Sequence, residues 1–77
     1  MLTIYSKNNC PQCKMVKRWL DNKGVEYSEI NIDENPSFIQ EVKDLGYSAV
    51  PVIKYNDVHF QGFAIPKLQN VISLINS

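Results

Sequence analysis

The sequence predicts a small α/β domain whose elements follow the order βαβαββα, with a four-stranded mixed sheet and three helices. Three observations support this fold class. Short β-branched runs alternate with segments whose apolar residues recur at helical spacing, and glycine or proline stands at most of the boundaries. The 77 residues, 44% of them hydrophobic, suffice for one modest core. We therefore expect a single domain over residues 1–77, without linker, repeat or low-complexity stretch.

The first strand and helix enclose the only two cysteines of the chain. Residues 2–6 are apolar and β-branched, which is typical of a strand, and the loop 7–9 follows. Pro11 suits the first position of a helix, because the N–H it lacks would be unpaired there anyway. The helix ends at Lys23-Gly24, a common stop signal. Its predicted apolar stripe consists of Met15, Val16, Trp19 and Leu20.

The middle of the chain predicts a second strand and a second helix. Residues 25–32 are β-branched and partly alternating, which favours a strand. Asn35 is a suitable N-cap, with Pro36 as the first helical residue. This helix ends at Gly46, and its predicted stripe is Phe38, Ile39, Val42 and Leu45. A right-handed crossover should place the first two strands parallel.

A hairpin and a last helix complete the predicted fold. Residues 50–55 and 58–61 predict two antiparallel strands, joined by a two-residue turn at Asn56-Asp57, where both residue types tolerate positive φ. Gly62-Phe63 interrupts the pattern, and Pro66 can open a helix. One face of that helix is predicted to carry Ile65, Leu68, Ile72 and Ile75.

Cys10-Pro11-Gln12-Cys13 is the motif that carries chemistry. Cys10 lies near the start of the predicted helix, where unpaired backbone N–H groups and the helix dipole favour a thiolate. Cys13 lies about one turn further on, within reach of any bond that Cys10 makes. This layout suits thiol–disulfide exchange, in which Cys10 attacks and Cys13 resolves the mixed disulfide. Residues 2–6 contain no acid, so no buried carboxylate base is expected there.

Composition narrows the function classes. Net charge is zero, which argues against nucleic acid or an anionic membrane as the main partner. We expect neither a signal peptide, because a strand-like run starts at residue 2, nor a membrane span, because the apolar stretches are short. A small secreted chain usually carries several disulfides, whereas this one has a single local pair. The expected location is therefore the cytoplasm.

Charge is unevenly distributed along the chain. Up to residue 23 the chain has five basic residues and one acidic residue, whereas the remainder has three basic and seven acidic ones. The simplest interpretation is an amphipathic helix with a solvated basic face. A second interpretation, compatible with the first, is that positive charge around Cys10 favours its thiolate and attracts an acidic partner. The early basic residues are Lys7, Lys14, Lys17, Arg18 and Lys23.

Several stretches, in order and at matching spacing, resemble the NrdH-redoxins, a glutaredoxin-like group within the thioredoxin superfamily. They are Thr3-Ile4-Tyr5-Ser6-Lys7-Asn8-Asn9-Cys10, Gln12-Cys13-Lys14, Ile30-Asn31-Ile32-Asp33, Val50-Pro51-Val52 and Gly62-Phe63. The resemblance implies a minimal thioredoxin fold and a thiol–disulfide oxidoreductase. It further implies an electron donor to the large subunit of class Ib ribonucleotide reductase, itself reduced by thioredoxin reductase with electrons from NADPH. No bound cofactor, no metal and a monomeric state are expected.

The resemblance also implies a partner-binding surface around the cysteines. Pro51 would be the cis-proline of this fold, and the backbone of Val50 would hold an extended substrate as an added strand does. The alternative is that Pro51 only starts a strand. We expect five further residues to contribute to partner binding: Lys7, Pro11, Gln12, Gly62 and Phe63.

The sequence differs from the NrdH-redoxin pattern at two places, and one of them leaves a second type of oxidoreductase possible. Pro11 occupies a position where NrdH-redoxins commonly have Met or Val, and dithiol glutaredoxins often have Pro. The Arg-Pro that usually follows Gly-Phe is absent here, since Gly62-Phe63 continues as Ala64-Ile65-Pro66-Lys67. The same segment lacks the acid with which glutaredoxins grip the glutathione amine, which favours the NrdH-like interpretation. A dithiol glutaredoxin reduced by glutathione is the alternative.

For the metal-binding alternative, and for the histidine and the aromatic residues, a structural role has to be weighed against a chemical one. Two cysteines and a distant His59 do not supply four metal ligands, so a zinc or iron–sulfur carrier would require a dimer. We expect His59 to be an exposed or packing residue and Trp19 to belong to the core. Phe60 and Phe63 suit either the core or an apolar rim around the cysteines.

Overall fold

The computed structural model describes residues 1–76, so the last residue of the predicted 1–77 domain lies outside the described part. Eight elements follow in order, and they confirm the predicted fold class. Within residues 1–76, no helix has the length and apolar character needed to cross a bilayer. The elements are β1 (Leu2–Ser6), α1 (Pro11–Asn22), β2 (Ser28–Asn31), a 3₁₀ turn (Pro36–Phe38), α2 (Ile39–Asp44), β3 (Val52–Tyr55), β4 (Val58–Gln61) and α3 (Ile65–Asn76).

The four strands form one mixed sheet in the order β2-β1-β3-β4. β1 pairs parallel with β2 and antiparallel with β3, as predicted, and β3 and β4 form the hairpin across Asn56-Asp57. Asn56 has a φ of 53°, a conformation that asparagine tolerates better than most residues. β1 is therefore central, and the cysteine motif follows directly from its carboxyl end.

Side-chain alternation along the strands produces two apolar clusters. Ile4 and Ile53 are opposite each other in β1 and β3, and both are fully buried in the larger cluster with residues of α1 and α3. The neighbouring pair, Tyr5 and Val52, belongs to the second cluster with Val42 of α2. Because successive strand residues point to opposite faces, α1 and α3 cover one face of the sheet and α2 the other.

The structure corrects several predicted boundaries and stripes. β2 is shorter than predicted, because residues 25–27 form a coil in which the Val25 N–H caps α1 by donating to Leu20 O. In α1 the buried stripe is Cys13, Val16 and Leu20. Met15 is 50% exposed, since 3.6 residues per turn places it about 100° around the helix from Val16.

Similar corrections apply to the other helices. A 3₁₀ turn precedes α2, and the Asn35 side chain does not cap it but donates to Asn31 O instead. Ile39 is 37% exposed rather than part of the core. In α3 the buried residues are Leu68 and Val71, of which the predicted stripe contained only the first.

Candidate functional site

Cys10 and Cys13 lie at the first turn of α1, and their Sγ atoms are at disulfide-bonding distance. Cys10 is the N-cap, with φ −113° and ψ 101°, and Pro11 takes the first helical position as predicted. The Cys13 N–H donates to Cys10 Sγ at 3.2 Å. The Cys10 sulfur thus occupies the place where an N-cap oxygen usually accepts, and the helix terminus favours negative charge there.

The two cysteines differ in their access to solvent. Cys10 retains 5% of its surface exposed, whereas Cys13 retains 1%. Pro11 and Gln12, which lie between them, are exposed. A partner can therefore reach Cys10 more readily than Cys13, which is consistent with Cys10 as the attacking thiol and Cys13 as the resolving one.

Val50 and Pro51 lie beside the cysteine pair. Their peptide bond is cis, the geometry that the resemblance implies, and Val50 belongs to the same apolar cluster as both cysteines. The Pro51 C=O accepts from the Gly62 N–H at 2.8 Å. Within residues 1–76, the backbone N–H and C=O of Val50 have no hydrogen-bond partner. Those two groups are available to pair with an added strand.

Gln12 and Gly62 approach each other at the same edge of the site. Gly62 has a φ of +94°, and a Cβ added there would lie 3.9 Å from Gln12 Oε1. Phe63, the next residue, is half-buried and packs against the larger cluster. Five of the predicted partner-binding residues lie beside the cysteines or Val50: Lys7, Pro11, Gln12, Gly62 and Pro51.

An apolar groove of about 150 Å³ opens beside Val50. Ile32, Ile39, Val42 and Tyr47 supply apolar surface, and no acidic residue lines it. Two ammonium groups, those of Lys7 and Lys43, also line the groove, and neither has a hydrogen-bond or ion-pair partner among residues 1–76. Sequence reasoning selected Lys7 and missed Lys43, because nothing local indicates that α2 brings Lys43 to the same edge.

Side chains from β2 and the residues that follow it hold the cysteine loop, residues 7–9, in place. Asp33 Oδ2 accepts from the Asn8 N–H at 2.9 Å, and Asn31 Nδ2 donates to Asn8 Oδ1 at 3.0 Å. Asn9, directly before Cys10, has a φ of 55°. The Asn31-Ile32-Asp33 stretch was noted in the sequence only as part of a resemblance, and the structure shows that it fixes the chain entering Cys10.

Tyr5 places a buried hydroxyl in the cysteine cluster. Its side chain is 2% exposed, and its hydroxyl donates to Glu41 Oε1 at 2.7 Å. Burial, the hydrogen bond to Glu41 and the charge of that carboxylate together raise the pKa of Tyr5 to about 12. Tyr5 is therefore a neutral donor that links β1 to α2 behind the site.

A second polar network links α1, β1 and β2. Glu29 Oε2 accepts from the fully buried Ser6 hydroxyl and from Lys17 Nζ, both at 2.7 Å. Burial alone would raise the pKa of Glu29, but the hydrogen bonds from Lys17 and Ser6 and the Lys17 charge lower it overall. Lys17 is thus paired and does not contribute an isolated positive charge near Cys10. A carboxylate does reach β1 in space, although the strand itself has none.

The structure decides the other assignments. Phe60 is 5% exposed and belongs to the larger cluster, and Trp19 is half-buried against that cluster with Lys23 Nζ 5.4 Å from its ring centroid. His59 is exposed, and its Nδ1 lies 2.7 Å from the Tyr47 hydroxyl. Among residues 1–76, no three His, Cys, Asp or Glu side chains are grouped as metal ligands would be.

Comparison with known proteins gives consistent results. The glutaredoxin family model matches residues 2–60. The glutaredoxin-like protein NrdH of Lactococcus lactis subsp. cremoris is 54% identical over 63 residues, which are 82% of this chain and 88% of that protein. The glutaredoxin-like protein NrdH of Escherichia coli K12 is 34% identical over 62 residues, covering 80% and 76% of the two chains.

Solved structures agree with the sequence comparison. The NrdH-redoxin of Escherichia coli superposes with a TM-score of 0.86 at 30% identity, over 91% of this chain and 92% of that one. The glutaredoxin of Archaeoglobus fulgidus gives 0.83 at 31% identity, over 92% and 84%. With the Cys10–Cys13 pair in place at the start of α1, the chain belongs to the glutaredoxin family of thiol–disulfide oxidoreductases and is NrdH-like within it.

Proposed function

We propose that this oxidoreductase is an electron donor of the NrdH type. Its dithiol reduces a disulfide on the large subunit of class Ib ribonucleotide reductase, and thioredoxin reductase restores the dithiol with electrons from NADPH. The chain acts as a monomer in the reducing cytoplasm and binds no cofactor of its own. The observation that carries the proposal is the Cys10–Cys13 pair at the start of α1 beside the unpaired backbone of Val50.

The reduction step follows from the differing exposure of the two thiols. The Cys10 thiolate bonds to one sulfur of the target disulfide, and the other target sulfur leaves as a thiolate. The backbone of Val50 holds the target segment as an added strand during this step. Cys13 then loses its proton and attacks Cys10, which releases the reduced target and closes the Cys10–Cys13 disulfide.

The start of α3 supports thioredoxin reductase over glutathione as the electron source. The first turn of α3 contains no acidic residue, so it offers no carboxylate to pair with the glutathione amine. The charged residue in this turn is Lys67, whose Nζ lies 5.8 Å from the Phe60 ring centroid. The related Escherichia coli NrdH-redoxin is described as having a thioredoxin-like activity profile, which is consistent with the same choice of reductant here.

NADPH consumption tests the electron source. The chain is assayed with a protein disulfide as substrate, first with thioredoxin reductase and then with glutathione and glutathione reductase. We expect rapid oxidation of NADPH in the first system and little above background in the second. The reverse result would overturn the proposed reductant.

One observation favours a second candidate, a dithiol glutaredoxin. Pro11 occupies the first helical position between the cysteines, as in many members of that group, and the Archaeoglobus fulgidus glutaredoxin is a close structural match. In that case glutathione would reduce the Cys10–Cys13 disulfide. Turnover in the glutathione system of the same assay, with none in the thioredoxin reductase system, is the result that would select it.

A further inference from the structure

The groove beside Val50 has two chemical features that the exchange reaction itself does not require. Its floor is apolar, and its volume of about 150 Å³ is comparable to cavities that accept a ring the size of benzene. Two cations, Lys7 and Lys43, line it with no carboxylate among the lining residues. The groove can therefore receive one apolar side chain and an adjacent negative charge.

The charges at the groove are not accounted for by the fold. Elsewhere in residues 1–76, Lys17 pairs with Glu29, Lys23 lies over Trp19, and Lys67 lies over Phe60. Lys7 and Lys43 have no such partner, and neither do Lys14, Arg18 and Lys54. What distinguishes Lys7 and Lys43 is that they come from different parts of the chain and line one opening. The acids of α2, Glu41 and Asp44, form no ion pair with Lys43, since the only ion pair within residues 1–76 joins Lys17 and Glu29. Glu41 accepts from Tyr5 and Asp44 from Gln40 instead.

The groove is continuous with the site of exchange. Val50 lines the groove, and Val42 and Val50 share one apolar cluster with Cys10 and Cys13. A target segment held on the Val50 backbone places successive side chains on alternate sides at about 3.3 Å per residue. A side chain close in sequence to the target cysteine is therefore within reach of the groove.

We propose that this groove selects the target segment: it takes an apolar side chain near the reactive cysteine, with an adjacent Asp or Glu that pairs with Lys7 and Lys43. This inference rests on the proposed function, since it defines the protein segment that Cys10 attacks. Rim-exposed charge pairs contribute modestly, so each lysine adds roughly a 2- to 3-fold preference for the acidic segment.

Peptide disulfides test the selectivity in a single step. Reduced Cys13→Ser protein is mixed with peptides whose cysteine is joined to thionitrobenzoate. Cys10 bonds to the peptide sulfur, the original S–S bond breaks, and the coloured thiolate leaves with the electron pair. The peptides carry Leu-Glu, Leu-Gln or Ala-Glu on one side of the cysteine and, in a second set, on the other.

In at least one set, the Leu-Glu peptide should react roughly 5-fold faster than the Leu-Gln peptide, which lacks the charge that pairs with the two lysines. It should also react at least as much faster than the Ala-Glu peptide, which buries less apolar surface in the groove. Lys7→Gln and Lys43→Gln should each reduce the preference for Glu over Gln to roughly 2-fold. Lys54→Gln makes the same change in net charge on β3, away from the groove, and should leave the preference intact. The glutathione–thionitrobenzoate disulfide, which has carboxylates but no apolar side chain, should react more slowly than the Leu-Glu peptide.

Equal rates for Leu-Glu and Leu-Gln in both sets would overturn the inference, as would an equal loss of preference in Lys54→Gln. A glutathione disulfide that reacts as fast as the Leu-Glu peptide would also overturn it. The two proposals fail separately. Selective peptides combined with no turnover by thioredoxin reductase would refute the proposed function, whereas turnover without selectivity would refute the role of the groove.

Discussion

At the residue scale, the polar groups around the site have separate roles. Cys10 combines slight exposure with a backbone N–H directed at its sulfur, and Cys13 is almost completely buried. Tyr5 contributes a neutral hydroxyl whose proton is already donated to Glu41. Exchange therefore depends on two sulfurs with unequal access, while the nearby hydroxyl supports the fold.

Substitution of either cysteine should give different products. Cys13→Ser should form a stable mixed disulfide with a target protein, because the thiol that resolves it is missing. Cys10→Ser should lose exchange, since Cys13 is too buried to attack. Non-reducing electrophoresis and mass spectrometry detect the trapped complex. Comparable exchange by the Cys10→Ser protein would contradict the assigned roles.

Tyr5→Phe should lower the free energy of unfolding by about 1 kcal/mol, because it removes the hydroxyl that Glu41 accepts. The pH dependence has a definite sign. The pKa of Tyr5 rises from 10.0 to about 12 in the folded chain, so its contribution is complete below pH 10 and is lost as pH rises towards 12.

Denaturant unfolding across this pH window measures both effects. The wild-type protein should lose stability more steeply than Tyr5→Phe as the pH rises. Tyr55→Phe is the matched control, since the Tyr55 hydroxyl makes no hydrogen bond within residues 1–76. Identical slopes for wild type and Tyr5→Phe would show that the Tyr5 hydroxyl is not held as described.

At the element scale, Glu29 joins three pieces of the fold. It lies on β2, the hydroxyl it accepts is at the end of β1, and the ammonium is on α1. Ser6 is fully buried, so its hydroxyl needs this acceptor to avoid an unpaired polar group in the interior. The network therefore fixes α1, which carries both cysteines, against the central strand.

Glu29→Gln should destabilise the fold by about 1 kcal/mol at neutral pH, since the charged acceptor is lost and Lys17 loses its partner. The pKa of Glu29 is lowered below its ordinary 4.5 in the folded chain. Its contribution is thus present above that value and is lost as pH falls through the lowered pKa.

Acid unfolding monitored by circular dichroism tests this network. The Glu29→Gln protein should show a flatter acid limb than the wild type. Glu26→Gln, a change at an exposed position of the preceding coil, is the control and should behave as the wild type. An unchanged acid limb in Glu29→Gln would argue against the network.

At the scale of the whole molecule, the expected free energy of unfolding is small. A chain of 77 residues is expected to have about 4–12 kcal/mol in total. The larger cluster, which α1 and α3 form with the sheet, supplies most of the buried apolar side chains. Damage to that cluster should therefore affect folding before it affects the thiol chemistry.

Leu68→Ala should cost about 2–5 kcal/mol, because Leu68 is fully buried in α3 and its loss leaves a cavity. Ile65→Ala in the same helix removes a side chain that is 40% exposed and should cost far less. Thermal unfolding compares the two variants. Equal losses would mean that α3 does not pack through Leu68.

Much of the fold could be predicted from local signals. Pro11 and Gly24 marked the ends of α1, and alternation along 58–61 gave β4 with its correct bounds. The wrong predictions concern which side of a helix is buried, where the only signal was the spacing of apolar residues. Met15 fitted an apolar stripe but lies outside the arc that contacts the sheet, and Val71 was overlooked although it is 1% exposed.

The site was predictable only where its chemistry is contiguous in sequence. Cys10 and Cys13 were identified from their spacing, and Val50-Pro51 from a resemblance. Lys43 and Glu41 reach the site through the packing of α2, and Glu29 reaches Ser6 through the parallel pairing of β2 with β1. Tertiary contacts of this kind have no short-range signature, so a single sequence does not show them.

The hydrogen bonds from Asn31 and Asp33 to Asn8 have a consequence for the speed of thiol–disulfide exchange. Ordering the backbone of one residue costs about 1–2 kcal/mol, and here that cost is met during folding rather than at each encounter. Binding of a substrate then requires little reorganisation of the loop that precedes Cys10. An oxidoreductase with its loop ordered in advance can bind a disulfide substrate weakly, dissociate quickly and still present the Cys10 sulfur in one orientation.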